Sequence, residues 1–199
     1  MSTYKTLARA SSEILFKERK SKFYGYAFPV LEEVQIKKQL ESLQKIHSNA
    51  NHVCYAWQLG VQSTNYRAND DGEPNNSAGK PILGQIQSFQ LTNVLVAVVR
   101  YFGGTKLGVG GLIQAYKETA KLTLENSAII EKELMAILEL RFGYENMNIV
   151  MGALKRFDCK INAQQMEIDC KMRIEMPAKL KSDFLNTLKK NHKISVSTT

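Results

Sequence analysis

Hydrophobic positions along the chain change period several times, and each change predicts a new element. Residues 23–30 alternate as a strand closed by Pro29, after which Leu31, Val34, Ile36, Leu40, Leu43 and Ile46 recur at mostly helical spacing. Residues 52–59 are aromatic and β-rich and predict a second strand. Residues 67–79 are turn chemistry throughout, with Ser77 placed to cap a helix that takes Pro81 in its first turn. Residues 91–101 form a strand of the buried type, and Leu112, Tyr116 and Ala120 line one face of the helix after it.

A second pattern begins near Glu131. Leu134, Ala136, Leu138, Leu140 and Phe142 alternate as on a half-buried strand, and Met147, Val150, Met151, Leu154 and Phe157 follow at helical spacing. A short strand at 160–163 leads to one on which Ile168, Cys170, Met172, Ile174 and Met176 face inward. Leu180, Phe184, Leu185 and Leu188 mark a helix, and Ile194 and Val196 a last strand. The order β-α-β-β-α-β is that of a ferredoxin-like sandwich. The expectation is an α+β protein of two domains, residues 1–128 and 129–199.

The 199 residues, 44% of them hydrophobic, suffice for packed cores. Lys and Arg number 27 against 19 acidic residues, and the resulting charge of +8 favours nucleic acid, the ribosome or another acidic partner. Both the first 126 residues and the remainder are net basic, so no single tail accounts for it. The cluster Arg19-Lys20-Ser21-Lys22 before the aromatic run 23–26 is either an anion contact or a solvated strand edge. Three cysteines without a C-x-x-C pair argue for a reducing compartment and against a disulfide framework or structural zinc. The first residues lack the apolar core of a signal peptide, and the run at 94–99 is too short to span a bilayer. A cytoplasmic location is expected.

Candidate chemistry concentrates after the central strand. Gly103, Gly104, Gly108, Gly110 and Gly111 bridge a strand and a helix, where free backbone N–H groups and the positive end of the helix dipole attract phosphate. The same glycines also suit a tight turn and close packing alone. No Walker loop is present, because Gly79-Lys80 is followed by Pro81 and Lys106 by Leu107. Lys80, Arg100 and Lys106 offer phosphate donors, although Arg100 is equally able to pair with Asp71 or Glu73. Asp70, Asp71 and Glu73 carry hard oxygen ligands of the kind Mg²⁺ takes, the one cofactor in view; alternatively they neutralise the basic site or cap their own turn. His52 and Cys54 share one face of their strand, as a base and nucleophile pair or as inert core.

The segments Asp70-Asp71-Gly72-Glu73-Pro74, Ser77-Ala78-Gly79-Lys80-Pro81-Ile82-Leu83 and Arg100-Tyr101-Phe102-Gly103-Gly104-Thr105-Lys106-Leu107-Gly108-Val109-Gly110-Gly111-Leu112, preceded by His52-Val53-Cys54-Tyr55-Ala56, resemble the Impact family in its bacterial, YigZ-type form. The resemblance implies a first domain with the left-handed β-α-β fold shared with domain IV of elongation factor G. It implies a second domain like domain V of that factor. Eukaryotic members regulate translation by competing for the activator of a starvation-sensing kinase, using an additional N-terminal domain. For bacterial two-domain members the resemblance implies binding of RNA, the ribosome or a translation-associated protein. No catalytic residue follows from it. The alternative is an enzyme acting on a phosphorylated small molecule or nucleotide, since galactokinase-type kinases share the first-domain topology. Their phosphate loop carries serines, whereas residues 108–115 here carry none.

Overall fold

A computed structural model describes residues 2–61, 63–189 and 191–198. It is an α+β structure of two sheet-based units, Tyr4–Lys132 and Glu133–Thr199, the latter including the N-terminal residues up to Thr3. The chain runs β1 (Thr3–Leu7), β2 (Ile14–Glu18), β3 (Ser21–Pro29), α1 (Glu33–Ile46), β4 (His52–Leu59), β5 (Asn65–Asn69), α2 (Gly79–Ser88), β6 (Val94–Tyr101) and α3 (Gly108–Glu125). Then come β7 (Ile129–Glu133), β8 (Met135–Gly143), α4 (Met147–Arg156), β9 (Lys160–Gln165), β10 (Asp169–Pro177), α5 (Lys181–Leu188) and β11 (Ile194–Thr198).

The first unit is organised by β6. Its sheet has the order β2-β3-β6-β4-β5, every neighbouring pair antiparallel. As the central strand it is covered on both faces, which is why its sequence is a continuous aliphatic run rather than an alternation. Val94, Val96 and Val98 face α2 and α3, packing with Phe23, Ala27, Cys54, Ile82, Ile86 and Tyr116. Leu95, Ala97 and Val99 face the other way, toward Ile36 and Leu43 of α1. Because side chains alternate, Arg100 falls on the α2/α3 face. β1 and β7 form a separate two-stranded sheet.

The helical stripe of α1 is narrower than its sequence pattern suggests. Ile36 and Leu43 are buried, whereas Leu31, Val34 and Ile46 are exposed. Leu31 precedes the helix, and Val34 lies two residues from Ile36, on the far side of the cylinder. Ser77, expected to cap α2, does not. The N-cap position is Ala78, and the Ser77 hydroxyl is buried without a hydrogen-bond partner.

The second unit has the order β-α-β-β-α-β and an antiparallel sheet β11-β8-β10-β9. Leu138, Leu140 and Phe142 of β8 join Cys170, Met172, Ile174 and Met176 of β10 against Val150, Leu154, Phe184 and Leu188 of the helices. Glu139, Arg141, Lys171 and Arg173 occupy the alternate positions.

α3 lies directly on β3 because Gly25 has no side chain. A Cβ there would sit 1.9 Å from Thr123 Oγ1 and 3.3 Å from the Thr119 carbonyl oxygen. Both threonines are fully buried and β-branched, so neither yields easily. Gly25→Ala is therefore expected to destabilise the chain by about 1–3 kcal/mol through overpacking, read as a lower midpoint in denaturant. An unchanged midpoint would mean that α3 is not held in this way.

Candidate functional site

The site is assembled around the end of β6. Arg100 and Glu73 are both buried, and Arg100 Nη1 donates to Glu73 Oε1 at 2.6 Å. The Tyr116 hydroxyl, from α3, donates to the same oxygen at 2.7 Å. Of the two carboxylates the sequence offered to Arg100, the partner is Glu73. Arg100 Nε is buried with no partner, and the guanidinium lies 5.5 Å from the ring centroids of Phe23 and Phe102.

Glu73 reaches this position because the preceding turn is clamped to β4. The Val53 N–H donates to Asp71 Oδ2 at 2.6 Å, and His52 Nδ1 donates to the Asp71 carbonyl at 2.7 Å. The Cys54 thiol donates its one proton to the Asp70 carbonyl at 3.0 Å, with the Tyr116 hydroxyl oxygen also within reach at 3.3 Å. The Asp70 side chain caps α2 from a distance: Oδ1 accepts the N–H groups of Ala78 and Gly79, and Oδ2 that of Asn76. This capping role is the one the sequence suggested for Ser77.

Asp70, Asp71 and Glu73 therefore do not fit a Mg²⁺ ligand set. Their oxygens serve the backbone of α2, the backbone of β4 and the Arg100–Tyr116 pair, and among the described residues no three His, Cys, Asp or Glu side chains converge as metal ligands. His52 and Cys54 do share a face, but the thiol faces the Asp70 carbonyl and the Tyr116 hydroxyl rather than the imidazole. Burial, with the neighbouring carboxylates adding to it, raises the Cys54 thiol well above its ordinary value, so it is a protonated donor at neutral pH. A backbone carbonyl only accepts, so His52 Nδ1 carries a proton. In the neutral ring the lone pair is then on Nε2, 3.9 Å from Glu73 Oε1.

A cleft of about 480 Å³ opens above this network, lined by His52, Glu73, Arg100, Phe102, Lys106 and Gly108, among others. Lys106 is exposed, and among the described residues no carboxylate pairs with it. α3 begins at Gly108 with no side-chain cap, whereas the first N–H groups of α2 are taken by Asp70; neither helix has an acidic residue in its first turn. The glycines divide by role. Gly103 packs against the chain at Lys20, where a Cβ would lie 2.0 Å from the carbonyl carbon; Gly104 and Gly108 have positive φ. Gly110 meets nothing within 4 Å, and Gly111 only Leu107 Cβ at 3.0 Å. Of the five, only Gly108 lines the cleft; Lys80, exposed on α2, stands outside it.

Sequence reasoning did not assign roles here to Asn51, Phe102 or Tyr116. The Asn51 side chain accepts the Phe102 N–H at 2.8 Å, fixing the loop entrance. The available signal for Phe102 was an aromatic residue placed directly before Gly103-Gly104.

The chain is an α+β protein of two sheet-based units, with a glycine-started helix near a buried Arg–Glu pair in the first. The Impact N-terminal domain family matches residues 19–124, and the chain belongs to the Impact family. It is 35% identical over 153 residues to IMPACT family member YvyE of Bacillus subtilis, spanning 77% of this chain and 70% of that protein. It is 31% identical over 147 residues to IMPACT family member YigZ of Escherichia coli, spanning 73% and 72%. A crystal structure of a hypothetical protein aligns over 100% of this chain and 97% of its own, with TM-score 0.74 and 26% identity. A structure of the two-domain translational regulator Yih1 aligns over 59% of this chain and 44% of its own, with 32% identity and TM-score 0.39. No helix among the described residues is long and apolar enough to cross a membrane.

Two outcomes are expected from the buried network. Glu73→Ala leaves Arg100 as an uncompensated buried charge and should cost about 3–5 kcal/mol in denaturant unfolding. Stability should also fall as pH rises above about 8.5, where the unfolded Cys54 thiol ionises while the folded one stays protonated. The native state then binds more protons than the unfolded state, and Cys54 contributes a slope of about −1.4 kcal/mol per pH unit; Cys159, pushed up to about 11 by burial, contributes a similar slope below that pH. Cys54→Ala should remove its own share of the slope. A slope unaffected by that substitution would show that Cys54 is not the group concerned.

Proposed function

We propose that this chain is a translation-associated RNA-binding protein that holds phosphate groups in the cleft at the start of α3. The observation that carries this reading is the contrast between two helices. The first N–H groups of α2 are taken by Asp70, whereas α3 begins uncapped beside the unpaired ammonium of Lys106 and the cleft walled by Arg100 and His52. Uncapped N–H groups and a cation together suit a phosphate. The charge of +8 raises the local concentration of a polyanion before any specific contact forms. In this reading Lys106 and the first turn of α3 contact the anion. Arg100 lends positive potential from the floor, with its Nη1 held by Glu73.

Family membership supports the translational context, through the resemblance by which eukaryotic Impact members regulate translation. The likeness to elongation factor G belongs to the same proposal. The β-α-β-β-α-β second unit, with strand order β11-β8-β10-β9, is arranged as a ferredoxin-like sandwich of the kind found in domain V of that factor. The first domain corresponds in this reading to domain IV.

Lys106→Ala removes one phosphate donor and touches nothing in the core. Affinity for RNA is expected to fall evenly across sequences, and the slope of log K against log salt to shrink by roughly 0.7–0.9. An unchanged slope and affinity in a folded variant would count against the phosphate contact. A second reading is favoured by one feature, the size of the cleft, which lies in the range of small-molecule sites. In it the ligand is a phosphorylated small molecule or nucleotide. A melting shift with a nucleotide or sugar phosphate, absent with RNA, would favour that reading.

A further inference from the structure

We propose that Phe102 is a stacking platform for an unpaired base, so that the RNA bound at this cleft is single-stranded; the inference rests on the phosphate-binding reading above. Phe102 is 46% exposed. It forms the wall shared by two clefts, the one holding Lys106 and a second of about 270 Å³ lined by Lys20, Lys22, Tyr24 and Tyr101. An exposed ring between lysine-bearing hollows is the arrangement that binds single strands, since bases stack on the ring while phosphates run along the cations.

The backbone that carries the ring is anchored. The Phe102 N–H donates to Asn51 Oδ1 at 2.8 Å, and the next N–H, of Gly103, donates to Ser21 Oγ at 3.2 Å. Gly103 is pressed so closely on the Lys20 carbonyl that no Cβ fits. The Arg100 guanidinium lies 5.5 Å from the ring centroid. Presenting a ring half in water from an anchored backbone gains little for the core, whereas it lowers the ordering cost of stacking a base.

The lysines carry an independent sign. Arg19 and Lys20 form the two-residue connection between β2 and β3, with φ of 42° and 67°. Such a loop demands left-handed backbone, which Gly or Asn normally supplies. Two long basic side chains stand there instead, at a cost in backbone strain, and they bring Lys20 to the rim of the second cleft. Lys22 follows on β3 beside Tyr101. The path for a strand thus runs from Lys20 and Lys22 across Phe102 to Lys106.

The test is fluorescence anisotropy on the full chain with a labelled, unstructured 12-nucleotide RNA and a blunt RNA duplex of the same length. Phe102→Ala is expected to weaken single-strand binding roughly fivefold to a hundredfold while leaving duplex binding within about twofold. Phe102→Trp should restore or strengthen it, and both variants should keep the wild-type melting temperature. If wild-type protein binds RNA but Phe102→Ala affects single strand and duplex alike, or neither, the stacking inference is overturned and the phosphate site stands. If wild-type protein binds neither RNA, the phosphate-binding reading falls, and this inference with it.

Discussion

The guanidinium of Arg100 and the carboxylate of Glu73 meet at 2.6 Å, both side chains almost wholly buried at the floor of the cleft, and most of the site's geometry follows from holding that pair together. Desolvating two charges is costly unless the remaining lone pairs and protons find partners. Tyr116 supplies one from α3, and the clamp of Asp70 and Asp71 on β4 delivers the carboxylate to the right depth. The pair therefore ties three elements distant in sequence: the end of β6, the turn before α2, and the third turn of α3. It also sets the floor of the cleft, with positive charge present but already countered.

From that floor the electrostatics separate upward. The carboxylates of Asp70 and Asp71 serve backbone N–H groups and that of Glu73 serves Arg100 and Tyr116, leaving Lys106 and the uncapped start of α3 facing out. A site neutral at its base and cationic at its mouth attracts an extended polyanion without trapping it. Phe102 stands on the same rim, between Lys106 on one side and Lys20 and Lys22 on the other. Phosphate attraction and base stacking can thus act on one strand together.

Much of this architecture was legible in the sequence because burial leaves a periodic signature. β6 announced itself by an aliphatic run, β8 and β10 by strict alternation, and α3 by Leu112, Tyr116 and Ala120. β1, β2, β5 and β7 carried no such signature. β5, Asn65–Asn69, is nearly all exposed at a sheet edge, and β7 is mostly charged, so neither shows a hydrophobic period. The cap of α2 was misassigned for a different reason. Ser77 is the local candidate, yet Asp70 reaches the same N–H groups across the turn, a contact that sequence spacing does not reveal. Likewise the pattern put Arg100 on the right strand without choosing Glu73 over Asp71. Phe102 was part of a motif before it had a role, because exposure of an aromatic ring is a property of the folded surface alone.

Ultraviolet crosslinking of the full chain to RNA, with mass-spectrometric mapping of the crosslinked peptides, bears most directly on the central claim. Crosslinks are expected in the peptides that carry Lys20–Lys22 and Phe102–Lys106. Crosslinks confined to the second unit, on the face that bears Arg141, Lys171 and Arg173, would contradict the account and move the binding site away from α3.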